Sequence, residues 1–318
     1  MARTRFIADR GLTARMTLVM FLLGALFVAL IVGLMGAAGW SGHGGLIPII
    51  GLAGLGIAWF QWYNSDKLAL RAMRAREVAP HEAPELHGMI DRLCALADMP
   101  KPRVAISYTD LPNAFATGRS PERSAVCVTT GILDRLTGEE LEGVLAHELS
   151  HVAHRDVLVM TLASSAGIIA GMVTHGARFG ALFGGRGRDN NGGAPFWLIA
   201  LVVSLVVYAV SFFLVRLLSR YRELCADRSG AFLTQKPSAL ASALTKITGE
   251  ISAIPNRDLR SAQSMNAFFI APAISGATLR TITSTHPSLE ERLEQLAKVA
   301  AELGRPLDGG VAAPGVGG

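Results

Sequence analysis

Met16-Thr-Leu-Val-Met-Phe-Leu-Leu-Gly-Ala-Leu-Phe-Val-Ala-Leu-Ile-Val-Gly-Leu-Met-Gly-Ala-Ala-Gly39 opens a run that carries no Asp, Glu, Lys or Arg as far as Ser65. A helix needs ~20 apolar residues to cross ~30 Å of hydrocarbon, so the run holds two spans. The second is Leu46 to Tyr63, joined to the first by Ser41-Gly-His-Gly-Gly45. Trp40, Trp59, Trp62 and Tyr63 fall at span ends, where aromatic side chains favour the interface. Two more uncharged apolar blocks follow, Val157 to Ala177 and Pro195 to Val215. The expected fold class is therefore a mainly α, multi-pass membrane protein with about four transmembrane helices.

Composition agrees. Half of the 318 residues are hydrophobic and 17% are charged, with a mean hydropathy of +0.37. Disordered tails, coiled coils and charge-rich nucleic-acid arms do not have such a balance. The net charge of +5 comes from basic residues that bracket the spans, so anionic lipid headgroups are the expected partner and nucleic acid is not. A cleaved signal peptide is the alternative for the first span, but its apolar run exceeds the ~7–15 residues of a signal core. Arg3, Arg5, Arg10 and Arg15 precede the first span, and Lys67, Arg71, Arg74 and Arg76 follow the second. The positive-inside rule puts both flanks in the cytoplasm, although Arg178, Arg186 and Arg188 in the far-side loop run against it. Cys94, Cys127 and Cys225 are too few and irregular for a disulfide framework, which fits a reducing compartment.

Between and after the spans the chain becomes polar. Leu86, Met89, Ile90, Leu93 and Ala97 recur at helical spacing before Pro100. Arg103 to Ser107 and Ala125 to Thr129 read as strands, with Leu111 to Gly118 a turn-rich connection. Thr137 and Glu140 form a capping box that opens a helix through His151.

That helix holds His147-Glu148-Leu149-Ser150-His151. Histidines at i and i+4 share one face and can both reach one Zn²⁺, and the Glu between them can take a proton from a water. A shuffled chain of this composition shows the pattern about once in a hundred. A catalytic zinc uses three protein ligands, so a third must lie elsewhere. His154 and His286 are weaker candidates than Glu223 in Arg222-Glu-Leu-Cys-Ala-Asp227. Glu223 and Asp227 are spaced so that one carboxylate can bind the metal while the other holds a ligating imidazole. The competing reading pairs Glu223 with Arg220, Arg222 or Arg228. Topology favours the ligand: His151 lies about 9 Å of helix before the third span, Glu223 about 12 Å after the fourth, and two spans return the chain to one side.

In this order, Asn113-Ala-Phe-Ala-Thr-Gly118, His147-Glu-Leu-Ser-His151, Glu223-Leu-Cys-Ala-Asp227 and Thr285-His-Pro-Ser-Leu-Glu-Glu-Arg292 resemble the HtpX-type membrane zinc metalloproteases, over roughly Arg5 to Leu303. The resemblance implies a gluzincin-like endopeptidase in membrane-protein quality control, with one Zn²⁺ per chain. It makes His147, His151 and Glu223 the ligands, Glu148 the base and Asp227 a support to a ligand. It places Asn113, Ala114, Phe115 and Ala116 beside the active site, where a substrate strand can pair. His286 or Arg292 are candidates to stabilise the oxyanion.

The expected organisation is an N-terminal arm with two spans over 1–65 and the first part of a cytoplasmic α+β zincin-like catalytic domain over 66–156. The third and fourth spans with a Gly-rich loop occupy 157–215 and split that domain. Its second part covers 216–303, and 304–318 is a disordered tail. Protein substrates, membrane proteins above all, and the bilayer are the expected partners. Gly167 and Gly171 suit close helix packing, within the chain rather than between copies, and a homo-oligomer stays open. Prenyl-protein proteases share the ligand motifs, but four short spans are too few for their large chamber. A purely structural zinc site would need a fourth Cys or His.

Overall fold

The structure, a computed structural model of the chain, describes residues 10–41, 52, 56, 59–60, 62–156, 159–160, 170–171, 174–175, 193–253 and 286–305. The second expected span, the third, the Gly184–Gly193 loop and the tail from Gly304 lie wholly or largely outside them. The chain forms two units. One comprises Ala14–Tyr63 and Leu158–Leu218, the other Met1–Thr13, Asn64–Val157 and Ser219–Gly318.

In the first unit, helix α1 (Arg10–Ser41) is apolar on all sides over Ala14–Gly33, long enough to cross a membrane. A second such helix, numbered α6 in chain order (Gly193–Thr234), belongs to this unit as far as Leu218 and to the other from Ser219, and meets the same test over Leu198–Thr234. It does not end with the apolar block at Val215, because nothing in Arg216 to Thr234 breaks helical hydrogen bonding. Phe21, Val32, Leu198 and Val206 are all more than half exposed, an arrangement that water disfavours and hydrocarbon does not. The helices meet where side chains are small: a methyl on Gly33 would lie 3.4 Å from Val203. The Thr174 hydroxyl donates to the Ser204 hydroxyl at 2.9 Å, the kind of polar bridge that ties helices in lipid. Gly171 lies against the Tyr208 ring.

The second unit is built on a four-stranded sheet in the order β1-β2-β4-β3. β1 is Arg76–Glu77, β2 Arg103–Ser107, β3 Ala114–Gly118 and β4 Ser124–Thr129. β2 and β4 run parallel, and β1 and β3 are antiparallel to their neighbours. The expected turn-rich connection over 111–118 is thus corrected: its second half is a strand. Ala, Thr and Gly have little strand preference of their own, and pairing with the fully buried β4 decides the matter.

Alternation along the strands sends side chains to two faces. Ala105, Phe115, Ala125 and Cys127 pack on Ala69 and Leu70 of α2 (Ser65–Ala72) and on Met73, the residue that caps its C-terminus. Val104, Ala114, Val126 and Val128 face the larger core. That core is completed by α3 (Pro84–Ala97), α5 (Gly138–Ala153), α7 (Pro237–Ala253) and α8 (Leu289–Glu302), with the short α4 (Thr130–Arg135) after β4. Asp98, at φ 52°, ends α3 in the left-handed conformation before Pro100 is reached.

The Thr137–Glu140 capping box is present at the start of α5, and Ser288 with Glu291 forms another at the start of α8. Glu140 also accepts hydrogen bonds from Ser242 and Lys246 of α7. Burial opposes its charge, but Lys246, Ser242 and the Thr137 amide outweigh that and hold its pKa down at about 2.

Candidate metal centre and its surroundings

α5 is buried along most of its length, including His147, Glu148 and Ser150. Its i, i+4 spacing brings the His147 and His151 Nε2 atoms to 3.2 Å of each other. Glu223 of α6 completes a triangle, with Oε2 at 3.6 Å from His147 Nε2 and Oε1 at 3.5 Å from His151 Nε2. Three ligand atoms at the ~2.0–2.2 Å bond lengths of tetrahedral zinc would lie about 3.3–3.6 Å apart. The two edges to the Glu223 oxygens, at 3.6 and 3.5 Å, fall within that span, and the His147–His151 edge, at 3.2 Å, is about 0.1 Å short of it.

The imidazoles are oriented from behind. His147 Nδ1 lies 2.9 Å from Asp227 Oδ1, and His151 Nδ1 lies 2.5 Å from Asp156 Oδ2. A carboxylate on each Nδ1 favours a ring proton there, which orients both Nε2 atoms toward the Glu223 carboxylate and, once an ion displaces any proton from them, leaves their lone pairs for the metal. Two ring nitrogens and a carboxylate converging on one point need positive charge between them, a proton on Nε2 or a metal ion. The residues therefore fit a bound metal ion. Burial would lower the pKa of His147, but Asp227 and Glu223 outweigh it and hold it at about 9. A metal ion binding at Nε2 would displace that proton.

Glu148 lies on this helix between the histidines. The Ala116 amide of β3 donates to its Oε2 at 2.9 Å. Burial pushes its carboxyl up, against the pull of His147 and His151. Because β3 is an edge strand and Ala116 turns its amide away from β4, its outer side faces the glutamate.

The residues named from sequence take unequal places. The three arginines that might have claimed Glu223 are engaged elsewhere: Arg220 with Glu291, Arg222 with Asp156 and Arg228 with Glu302. His286 Nδ1 is 3.4 Å from Glu223 Oε2. Arg292 grips Asp227 with two hydrogen bonds, Nε to Oδ2 at 2.7 Å and Nη2 to Oδ1 at 2.6 Å. His154 caps α5 and turns back on the Ser150 carbonyl. Asn113 is tied to Thr129 at the start of β3, Ala114 faces the larger core and Phe115 packs toward α2. Of that segment, Ala116 reaches Glu148.

Two residues escaped the sequence reading. Asp156 lies five residues beyond His151, off its helical face, and touches it because Arg155 adopts φ 56° and turns the chain back. No glycine marks that turn, so no local signal announced it. Gly230 of α6 lies against the His147 backbone, where a methyl would be 2.8 Å from the amide nitrogen.

The model of peptidase family M48 matches residues 80–300. The chain is 53% identical to "Protease HtpX homolog 1" of Streptomyces coelicolor over 304 residues, covering 95% of this chain and 97% of that protein. It is 50% identical to a "Protease HtpX homolog" of Moorella thermoacetica, with 95% and 98% covered, and 42% identical to one of Pyrococcus furiosus, with 88% and 96% covered. In fold it is similar to the crystal structure of S. mikatae Ste24p, at a TM-score of 0.52 and 15% identity, over 89% of this chain and 65% of that one, just under two thirds. A family match over more than half the chain, joined to a convergent His-His-Glu cluster and membrane-length apolar helices, establishes that the chain belongs to peptidase family M48, among the HtpX-type membrane metalloproteases.

Proposed function

We propose that this chain is a zinc-dependent endopeptidase that hydrolyses misfolded or surplus membrane proteins at the cytoplasmic face of the cell membrane. The observation that carries the reading is the triangle of His147 Nε2, His151 Nε2 and Glu223, with edges of 3.2, 3.6 and 3.5 Å. These three hold one Zn²⁺, which supplies Lewis acidity toward water and the scissile carbonyl. Asp227 keeps the His147 proton on Nδ1. Glu148 takes a proton from the attacking water and returns it to the leaving amine, its carboxylate steadied by the Ala116 amide. The outer edge of β3 receives the substrate as an added strand. His286, beside Glu223, is the group positioned to assist the developing oxyanion. The cytoplasmic orientation rests on Arg and Lys flanking the first two apolar segments.

The test is cleavage of an unfolded protein by the detergent-purified chain, beside Glu148→Gln, with zinc measured in both. Activity in the parent and none in a variant that still holds one zinc is the expected result. Zinc in both with equal, negligible cleavage points instead to a structural metal. A substrate segment tethered to the membrane is expected to be cleaved faster than the same segment in solution, and equal rates would remove the membrane-protein preference.

A further inference from the structure

Asp156 has no place in the motifs that mark this site, yet it is 4% exposed and carries a charge. A buried carboxylate persists only where partners compensate it. Two do so through one oxygen: Oδ2 lies 2.5 Å from His151 Nδ1 and 3.0 Å from Arg222 Nε. Arg222 directly precedes Glu223 on α6. The contact depends on the turn at the end of α5, where Arg155 is left-handed and its amide donates to the Val152 carbonyl at 3.1 Å.

We propose that Asp156, in a buried ion pair with Arg222, is the positioning residue for His151. It holds the Nδ1 proton so that Nε2 faces the cation, and the arginine links that orientation to the helix that brings Glu223. The inference rests on the reading of His147, His151 and Glu223 as the metal-holding set. Each imidazole then has its own carboxylate, and each carboxylate its own arginine: Asp227 with Arg292 behind His147, Asp156 with Arg222 behind His151. The two supports differ. Arg292 holds Asp227 through both oxygens, whereas Arg222 and His151 both meet Asp156 at Oδ2.

The test is metal affinity of the full-length chain in detergent, by zinc competition against a chromophoric chelator, with the visible spectrum of the cobalt-substituted protein reporting donor geometry. Asp156→Ala is expected to weaken zinc binding by about 10–100-fold, and Asp156→Asn and Arg222→Gln by about tenfold, each with a changed cobalt spectrum. Asp91→Asn, on an exposed ion pair with Lys101, is expected to match the parent. Should Asp156→Ala fail to fold, the nearly isosteric Asp156→Asn carries the test. Parent-like affinity and spectrum in Asp156→Asn and Arg222→Gln overturn the proposal, even if proteolysis falls. If His151→Ala or Glu223→Gln binds zinc as the parent does, the metal-site reading itself fails and takes this role with it.

Discussion

A methyl group placed on Gly230 would meet the backbone of His147, at 2.8 Å from its nitrogen and 3.1 Å from its Cα. Helices α5 and α6 thus touch main chain to main chain at the residue that carries the first imidazole. This approach lets Asp227, one turn back along α6, and Glu223, two turns back, reach the histidines. Gly230→Ala forces the helices apart against atoms that cannot rotate away. The expected result is a loss of about 1–3 kcal/mol in stability and zinc affinity at least about tenfold weaker. Thermal melting and zinc competition would show it, and parent values in both would remove the argument.

Arg292 is buried and forked onto a fully buried Asp227. Arg292→Leu strands that carboxylate without its cation, which typically costs about 3–5 kcal/mol. Arg292→Lys keeps the charge but not the planar fork, so it should fall between parent and leucine variant. Denaturation in detergent ranks the three; a leucine variant as stable as the parent would refute the pairing as a stabilising element.

Ala116 gives its amide to Glu148 rather than to the sheet. Ala116→Pro deletes that one donor at an edge position, where a proline breaks no ladder hydrogen bond. Losing a hydrogen bond to a charged group is worth about 1.5–3 kcal/mol, so kcat should drop about 10–100-fold with zinc content unchanged. Unaltered kcat would mean that Glu148 needs no such anchor.

Glu140 titrates at about 2 in the folded protein against an ordinary 4.5, so its network stabilises the native state above about pH 4.5. That contribution drains away as pH falls from there toward 2. Glu140→Gln should lower the melting temperature at pH 6–8, and the gap should close across this acid window. A gap independent of pH would show that the charge is not what matters.

The sequence was most legible where one local rule governed. Strand β2 lies at Arg103–Ser107 as alternation indicates, and the Thr137–Glu140 box opens α5 because hydroxyl and carboxylate satisfy amides within reach of their own turn. The helical spacing of His147 and His151 was enough to bring their nitrogens together. Legibility failed where distant partners decided. Ala114 to Gly118 became a strand only because β4 was there to pair with. Asp156 met His151 through a left-handed arginine that carries no glycine signal, and Arg292 found Asp227 across a long stretch of chain. Glu223 is an intermediate case: its spacing to Asp227 was visible, but only the close approach at Gly230 brings both to the histidines.

His151 and Glu223 stand 3.5 Å apart in space while roughly 70 residues of chain run between them. A cation held by both is a cross-link as well as a reagent. Closing a loop of that size removes roughly 4 kcal/mol of chain entropy from the unfolded state in the simplest account, as a disulfide would. A protein without a single disulfide among its described cysteines would thus gain a reversible one, made of metal. Stripping the ion would loosen the tertiary structure in the same step that stops the chemistry.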